Sequence, residues 1–171
     1  MMKVLRRALV VLFVLAAPAA AQPAPTLQWG DILIYQAEIL DRVFPDQDQF
    51  SAYVGRLEGA ATSGFGTLPA QPPLAGVLFV AVKPGGRARV WVLPTSGSLS
   101  AEMRGRLERA LGAVPPVEVR AGFLFAMSFG AWGAAPYQST GAPPIPAEWA
   151  SQIPPQGVSL DDAFIDRVWP D

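Results

Sequence analysis

Between residues 76 and 129, apolar and polar positions follow the most regular pattern of the chain, and this stretch predicts the core of the fold. Residues 77–82 form a continuous apolar run of strand length, which is typical of a strand covered on both faces. Pro84, Gly85 and Gly86 then predict a tight turn, because glycine adopts positive φ without steric cost. Residues 87–93 alternate and predict the return strand of a hairpin. One face of that strand carries Ala88, Val90 and Val92, and the other carries Arg87, Arg89 and Trp91.

A helix and a third strand are predicted after the hairpin. Residues 99–111 have apolar side chains every four positions, with Ser98 placed to cap the helix and Gly112 placed to end it. From 117 to 129 every odd-numbered residue is apolar, so we expect one strand, bent at Gly122, whose odd face packs under the helix. The predicted fold is α+β, with a small three-stranded antiparallel sheet crossed by one helix.

The segment before this core predicts two helices. Residues 31–43 have apolar side chains at helical spacing, although residues 32–35 alone could instead form a strand. A second helix is predicted over residues 47–61, with a loop rich in Gly and Pro over residues 62–75.

The segment after the core, residues 130–171, has a different composition. It contains seven prolines and three tryptophans, Trp132, Trp149 and Trp169. Because tryptophans favour burial, we expect an ordered tail that wraps over the core rather than a disordered one. A short helix is predicted over residues 146–152, and a last helix is predicted to open near Ser159 and to end near Val168.

The first residues predict an export signal. Lys3, Arg6 and Arg7 precede an apolar run over residues 8–17, and Ala19, Ala20 and Ala21 form a cleavage site, so the mature chain is expected to begin at Gln22. An uncleaved membrane anchor is the alternative. The expected organisation is a secretory signal peptide (1–21) and a single α+β domain (22–171) with N-terminal helices (31–61), core (76–129) and C-terminal wrapping tail (130–171). The expected location is the periplasm or the exterior of a bacterium, with no membrane-integral part after signal cleavage.

Composition narrows the chemistry that the chain can perform. It has no histidine and no cysteine, which excludes Ser-His triads, thiol nucleophiles and the usual zinc ligands. Asp46 with Asp48, and Asp161 with Asp162, are better explained as helix caps than as an acid/base pair. We therefore expect no catalytic residue, no metal and no cofactor, with an unrecognised hydrolase as the remaining enzymatic alternative.

Charge is distributed unevenly along the chain. Without the three basic residues of the signal, ten basic residues face fourteen acidic ones, a net charge of −4. Residues 83–120 carry +4, and the rest of the mature chain carries −8. The basic centre can neutralise the acidic flanks internally or attract an acidic partner. Nucleic acid is not expected as a partner, because the net charge is negative.

Two surfaces are candidates for binding. The first, called here the Arg/Trp face, consists of Arg87, Arg89 and Trp91, which suit an acidic peptide, a glycan or a lipid head group. The helix would widen it if three further arginines point the same way: Arg104, Arg106 and Arg109. The alternative is a solvated face or one covered by the acidic terminal helices. The second candidate is a sheet edge that accepts a partner strand, unless the tail covers it.

One short similarity occurs within the chain. Residues 39–46 and 164–171 are identical at five of eight positions. The similarity is explained either by a shared way of ending a helix or by a duplicated docking element.

The order strand, turn, strand, helix, strand resembles the C-terminal domain of the TonB and TolA family of energy transducers. Residues 76–86 look like its opening strand with a Gly turn, residues 95–98 like its Ser-Gly loop, and Pro115 and Pro116 like its exit from the helix. The family's uncleaved anchor, long Pro-rich linker and aromatic-basic-aromatic-Pro element are absent here. The resemblance implies a sheet of this type, but no role in energy transduction.

The function expected from the sequence is that of an exported, soluble, non-enzymatic module that binds an envelope protein. The alternative is a module that binds a small ligand or an envelope polymer, such as a glycan or lipid head group, through the Arg/Trp face.

Overall fold

The computed structural model describes residues 27–35, 43, 47–138, 145–153 and 161–170. Its strands are β1 (Gln28–Ile34), β2 (Leu74–Lys83), β3 (Arg87–Ser96) and β4 (Phe123–Ala131). Its α-helices are α1 (Gln47–Gly66), α2 (Ala101–Gly112) and α3 (Asp162–Val168), and a 3₁₀ helix spans Ala147–Gln152. The predicted α+β class is confirmed. Among the described residues, no helix has the length and apolar character needed to cross a membrane.

The four strands form one antiparallel sheet in the order β1-β4-β2-β3. Val80 of β2 lies opposite Val90 of β3 and opposite Phe125 of β4, which fixes both registers. The predicted hairpin turn is present, with φ of 82° at Gly85 and 69° at Gly86. Among the described strands, β3 therefore forms one edge of the sheet.

Helices α1 and α2 cover one face of the sheet. The buried side chains there include Leu78 and Val80 of β2, Phe125 and Phe129 of β4, and Leu107 of α2. The odd positions of β4 thus pack under the helices, as the alternation predicts. The burial of these side chains, at roughly 1.5–3 kcal/mol for each large one, provides the main stabilisation of this layer.

The C-terminal tail, described over residues 145–153 and 161–170, covers the other face. Trp149, Phe164 and Ile165 are buried against Phe79 and Trp91 of the sheet. The 3₁₀ helix and α3 thus form a third layer. This layer explains why β2 is apolar at consecutive positions, because both of its faces are covered.

The predicted helix at residue 31 is wrong, because residues 28–34 form β1 and pair with β4. The sheet consequently has four strands, not three. Ile32, Leu33 and Ile34 suit a strand, and β4 offers them a free edge, so long-range pairing overrides the helical spacing. Of the rest of that predicted helix, Tyr35, in a turn after β1, and Val43 are described, and the other residues lie outside the described part of the chain.

Several predicted boundaries are also corrected. Helix α1 continues into the first part of the predicted loop and ends at Gly66, and within this extension the hydroxyls of Thr62 and Ser63 donate to carbonyls one turn back, at 2.8 and 2.9 Å. The last strand begins only at Phe123. Ser100, not Ser98, caps α2, and Asp161 caps α3. Ser159 lies outside the described residues.

Candidate functional site at the edge of β3

The outer edge of β3 presents backbone groups that the sheet does not use. The amide of Val92 points outward, since it donates to Oε1 of Glu108 on α2 at 3.0 Å. Residues two apart on a strand direct their amides the same way, so the amides of Ala88 and Val90 also point outward. Neither has a hydrogen-bond acceptor among the described residues. Two successive outward donors on this edge therefore have no acceptor among the described residues, and the second of them belongs to a residue that is 3% exposed.

A groove of about 620 Å³ runs between this edge and helix α2. We call it the first groove. Its lining from β3 is Ala88, Arg89 and Val90, and its lining from α2 and the following turn is Gly105, Glu108, Arg109, Gly112 and Ala113. A Cβ added at Gly112 would meet nothing within 4 Å, and one added at Gly105 would meet only the Arg109 guanidinium, at 3.4 Å. The glycine in the middle of α2 thus faces open space.

A second groove of about 160 Å³ continues along the same edge. Its lining is Trp91, Val92, Leu93, Arg104, Glu108, Pro146, Ala147 and Glu148. Arg104 lies near the end of β3, while Arg109 lies near its start, so α2 runs antiparallel to the strand. Glu108 lines both grooves and separates them.

The arginines of α2 differ in their surroundings. Arg106 pairs with Glu102 at 2.6 Å on the exposed side of the helix. Arg104 and Arg109 each line a groove, and neither forms an ion pair with any residue that the structure describes. The two grooves therefore contain two arginines without an ion-pair partner among the described residues, and their lining as a whole carries three arginines and two glutamates, a net charge of +1.

The Arg/Trp face is covered by the tail. Trp91 is only 3% exposed, its ring packs against Trp149 at 5.0 Å, and its indole nitrogen donates to Glu148 at 2.5 Å. Arg89 lies over the Trp91 ring at 4.8 Å and pairs with the same Glu148 at 3.2 Å. The guanidinium of Arg87 lies 6.0 Å from the centre of the Trp169 ring. The indole of Trp91 is therefore not open to a ligand while the tail is in place.

The predicted arginines do not form one continuous strip. Arg87 and Arg89 lie on the tail side of β3, whereas α2 and its arginines pack on the opposite face. Residues of the two predicted sets meet at the strand edge, where Arg89 and Arg109 line the first groove and Trp91 and Arg104 line the second. Glu108 and the groove itself were not predicted from the sequence, because the contact that orients Glu108 joins residues 16 positions apart.

Lys83 is a second residue whose role was not predicted from the sequence. It is 3% exposed, and its ammonium group contacts α3 through Asp166 at 2.6 Å and the carbonyl of Trp169 at 2.7 Å. Its nitrogen also lies 5.3 Å from the centre of the Trp169 ring. Lys83 thus fixes the tail to the end of β2.

The phenol oxygens of Tyr35 and Tyr53 are buried in the core. Burial raises the pKa of Tyr53, an effect that Arg56 partly offsets, and burial raises the pKa of Tyr35, to which Tyr137 adds. Both therefore remain protonated at neutral pH, in separate layers of the core. The described residues contain no group of three acidic side chains that could hold a metal ion.

No family model, curated protein or solved structure matches this chain. The resemblance to the TonB and TolA domain therefore stays a prediction, and the function has to be argued from the β3 edge itself.

Proposed function

We propose that this chain is an exported, non-enzymatic interaction module that binds an extended segment of an envelope protein along the outer edge of β3. The observation that carries the proposal is the pair of outward amides at Ala88 and Val90, which face a groove and have no acceptor among the described residues. An added strand satisfies such amides with its own carbonyls, while the groove receives its side chains. A groove of about 620 Å³ lies within the range of ligand sites.

The two edges of the sheet differ in how they are protected. A bulge between Trp29 and Ile32 interrupts the register of β1, and bulges are a common means of preventing edge-to-edge pairing. Strand β3 pairs in an unbroken register from Arg87 to Pro94. Among the described residues, its outer side is blocked only at Val92, by Glu108. These features favour β3 over β1 as the binding edge.

A ligand on the Arg/Trp face is less compatible with this geometry. A glycan or lipid head group would have to displace Trp149 before it reached the ring of Trp91. The edge of β3 requires no such displacement of the core.

The proposal is tested by selecting binders from a displayed library of random peptides, followed by amide hydrogen exchange with each selected peptide. In the free protein the amides of Ala88 and Val90 should exchange rapidly, while that of Val92 should be protected by Glu108. A bound peptide should protect Ala88 and Val90. Selection of no peptide, or of peptides that leave both amides unprotected, would overturn the proposal.

A substitution at Ala88 gives a second test. Ala88→Pro removes one outward amide, and proline is tolerated on an edge strand where its nitrogen faces away from the sheet. We expect Ala88→Pro to weaken peptide binding and Ala88→Ser, which retains the amide, to leave it unchanged. Thermal unfolding of both variants checks that the fold is retained. Equal binding by the two variants would argue against strand addition.

Export is a separate part of the proposal. The basic, apolar and small residues of positions 1–21 support it, and these positions lie outside the described residues. Expression in a bacterial host, fractionation and mass measurement should give a periplasmic chain that begins at Gln22. A full-length chain in the membrane fraction would favour the uncleaved anchor instead.

A further inference from the structure

From the charges along the β3 edge we infer that the bound segment is acidic and carries a carboxylate at every second residue, an inference that rests on the proposed function. Two arginines of α2, Arg104 and Arg109, lie along this edge. Each lines a groove, and neither has an ion-pair partner among the described residues. A guanidinium donates well to a carboxylate, often through two parallel hydrogen bonds.

The spacing of these two arginines matches the spacing of side chains on an extended chain. Arg109 lies five positions after Arg104, a rise of about 7.5 Å along the helix axis with a rotation of about 140°, while side chains on one face of a strand are about 6.8 Å apart. Helix α2 runs beside β3, so a strand added to β3 would present one of its faces to α2. Carboxylates at alternate positions would all lie on that face.

Glu108 occupies the position that the added strand needs. Its Oε1 accepts from the Val92 amide at 3.0 Å, where a carbonyl of the incoming strand would bind. It also separates the two grooves, so moving its side chain outward would join them along β3. Glu108 thus acts as a placeholder that protects the edge when no segment is bound, and its charge opposes an acidic segment.

Three synthetic peptides, each long enough to span both grooves, test the inference by titration calorimetry. The first alternates Thr and Glu, the second alternates Thr and Lys, and the third repeats Thr-Thr-Glu-Glu. The third peptide has the charge and composition of the first, but places half of its carboxylates on each face. We expect the first to bind about tenfold more tightly than either of the others, from two ion pairs with α2.

Paired variants locate the effect on the protein. Arg104→Gln with Arg109→Gln should abolish the preference for the first peptide. Arg106→Gln, which removes one positive charge from the other side of the helix, should preserve it. Glu108→Ala should tighten binding of the first peptide several-fold, whereas Glu102→Ala should not. Thermal unfolding of each variant establishes that it is folded before its binding is measured.

The outcomes separate this inference from the proposed function. Equal binding of all three peptides, with protection of the Val90 amide, would retain strand addition and overturn the alternating acidic segment. Tighter binding of the Lys peptide, or weaker binding by the Glu108→Ala variant, would overturn it as well. If none of the three binds, and random selection also yields no peptide that protects Val90, both proposals fail. Concentration-dependent protection of Val90 without peptide would identify a second copy of the chain as the occupant, and this too would overturn the inference.

Discussion

Trp149 is the side chain on which the attachment of the tail to the sheet depends most strongly. It is fully buried, and its ring lies 5.2 Å from Phe79, 5.0 Å from Trp91 and 5.5 Å from Phe164. It therefore joins β2, β3 and α3. We predict that Trp149→Ala destabilises the tail layer far more than any substitution on the surface of the tail.

The magnitude follows from the burial and from the indole nitrogen. Truncating a buried tryptophan to alanine costs about 3–5 kcal/mol, because apolar contacts are lost and a cavity remains. The Nε1 group of Trp149 is buried without a hydrogen-bond partner among the described residues, a situation that costs about 1–3 kcal/mol. Trp149→Phe keeps much of the ring and removes this donor, so we expect it to cost no more than about 1.5 kcal/mol. Domain stability is about 5–15 kcal/mol, so both variants should still fold.

Urea unfolding, monitored by far-ultraviolet circular dichroism, measures these losses of stability. This signal does not depend on the fluorescence of Trp149, which both variants lack. Binding of a hydrophobic dye by Trp149→Ala in the absence of urea would report exposure of Phe79 and Trp91 as the tail detaches. Trp149→Phe, as the matched control, should not bind the dye. A loss of less than about 1 kcal/mol for Trp149→Ala, with no dye binding, would refute the packing of the tail on the sheet.

Three further predictions concern stability. Lys83→Met should cost about 1–3 kcal/mol in urea unfolding, because the Trp169 carbonyl loses a charged donor. Asp166→Asn should cost about 1 kcal/mol or less, since the Asp166 side chain is 66% exposed. A larger loss of stability for Asp166→Asn than for Lys83→Met would contradict the contacts of Lys83. Gly105→Ala should raise the unfolding free energy by about 0.5–1 kcal/mol, because the added methyl group meets only the flexible end of Arg109; a loss of stability would mean that α2 lies closer to β3. Burial raises the folded-state pKa of Tyr35 and Tyr53 above the ordinary 10.0, so the folded protein binds these protons more tightly, and its unfolding free energy should fall as pH rises above 10.0. Urea unfolding at a series of pH values above 10.0 measures the unfolding free energy, and tyrosinate absorbance of the folded protein follows the ionisation of the tyrosines. An unfolding free energy that does not change with pH in this range would contradict the prediction.

The parts of the fold that the sequence predicts correctly are those encoded by neighbouring residues. Gly85 and Gly86 specify the hairpin turn within three positions, and the alternation of the last strand specifies which of its faces lies under the helices. β1 was missed because its conformation depends on pairing with β4, nearly a hundred positions away. Local spacing of Ile32, Leu33 and Ile34 fits a helix and a strand equally well.

The candidate site also depends on contacts between residues that are far apart in the sequence, which local patterns do not predict. Period-two alternation assigns Trp91 and Arg89 to one face of β3, but it does not state whether that face meets solvent or a third layer. That face meets the tail, because Trp149 and Glu148, more than fifty positions later in the sequence, contact Trp91. The groove is equally non-local, since it exists only because α2 lies beside an unpaired edge.

The contacts of residues 164–169 bear on the short internal similarity. Phe164 and Ile165 are buried, and the segment also supplies two groups that bind Lys83, so it docks the tail onto the sheet. Val43, the described residue of the other copy, is 1% exposed in the helix-side core, on the opposite face of the sheet from its counterpart Val168. A duplicated docking element for an outside partner requires exposed, equivalent side chains. A buried Val43 and a partly buried Val168 on opposite faces of the sheet favour the other explanation, that both segments end a helix in the same way.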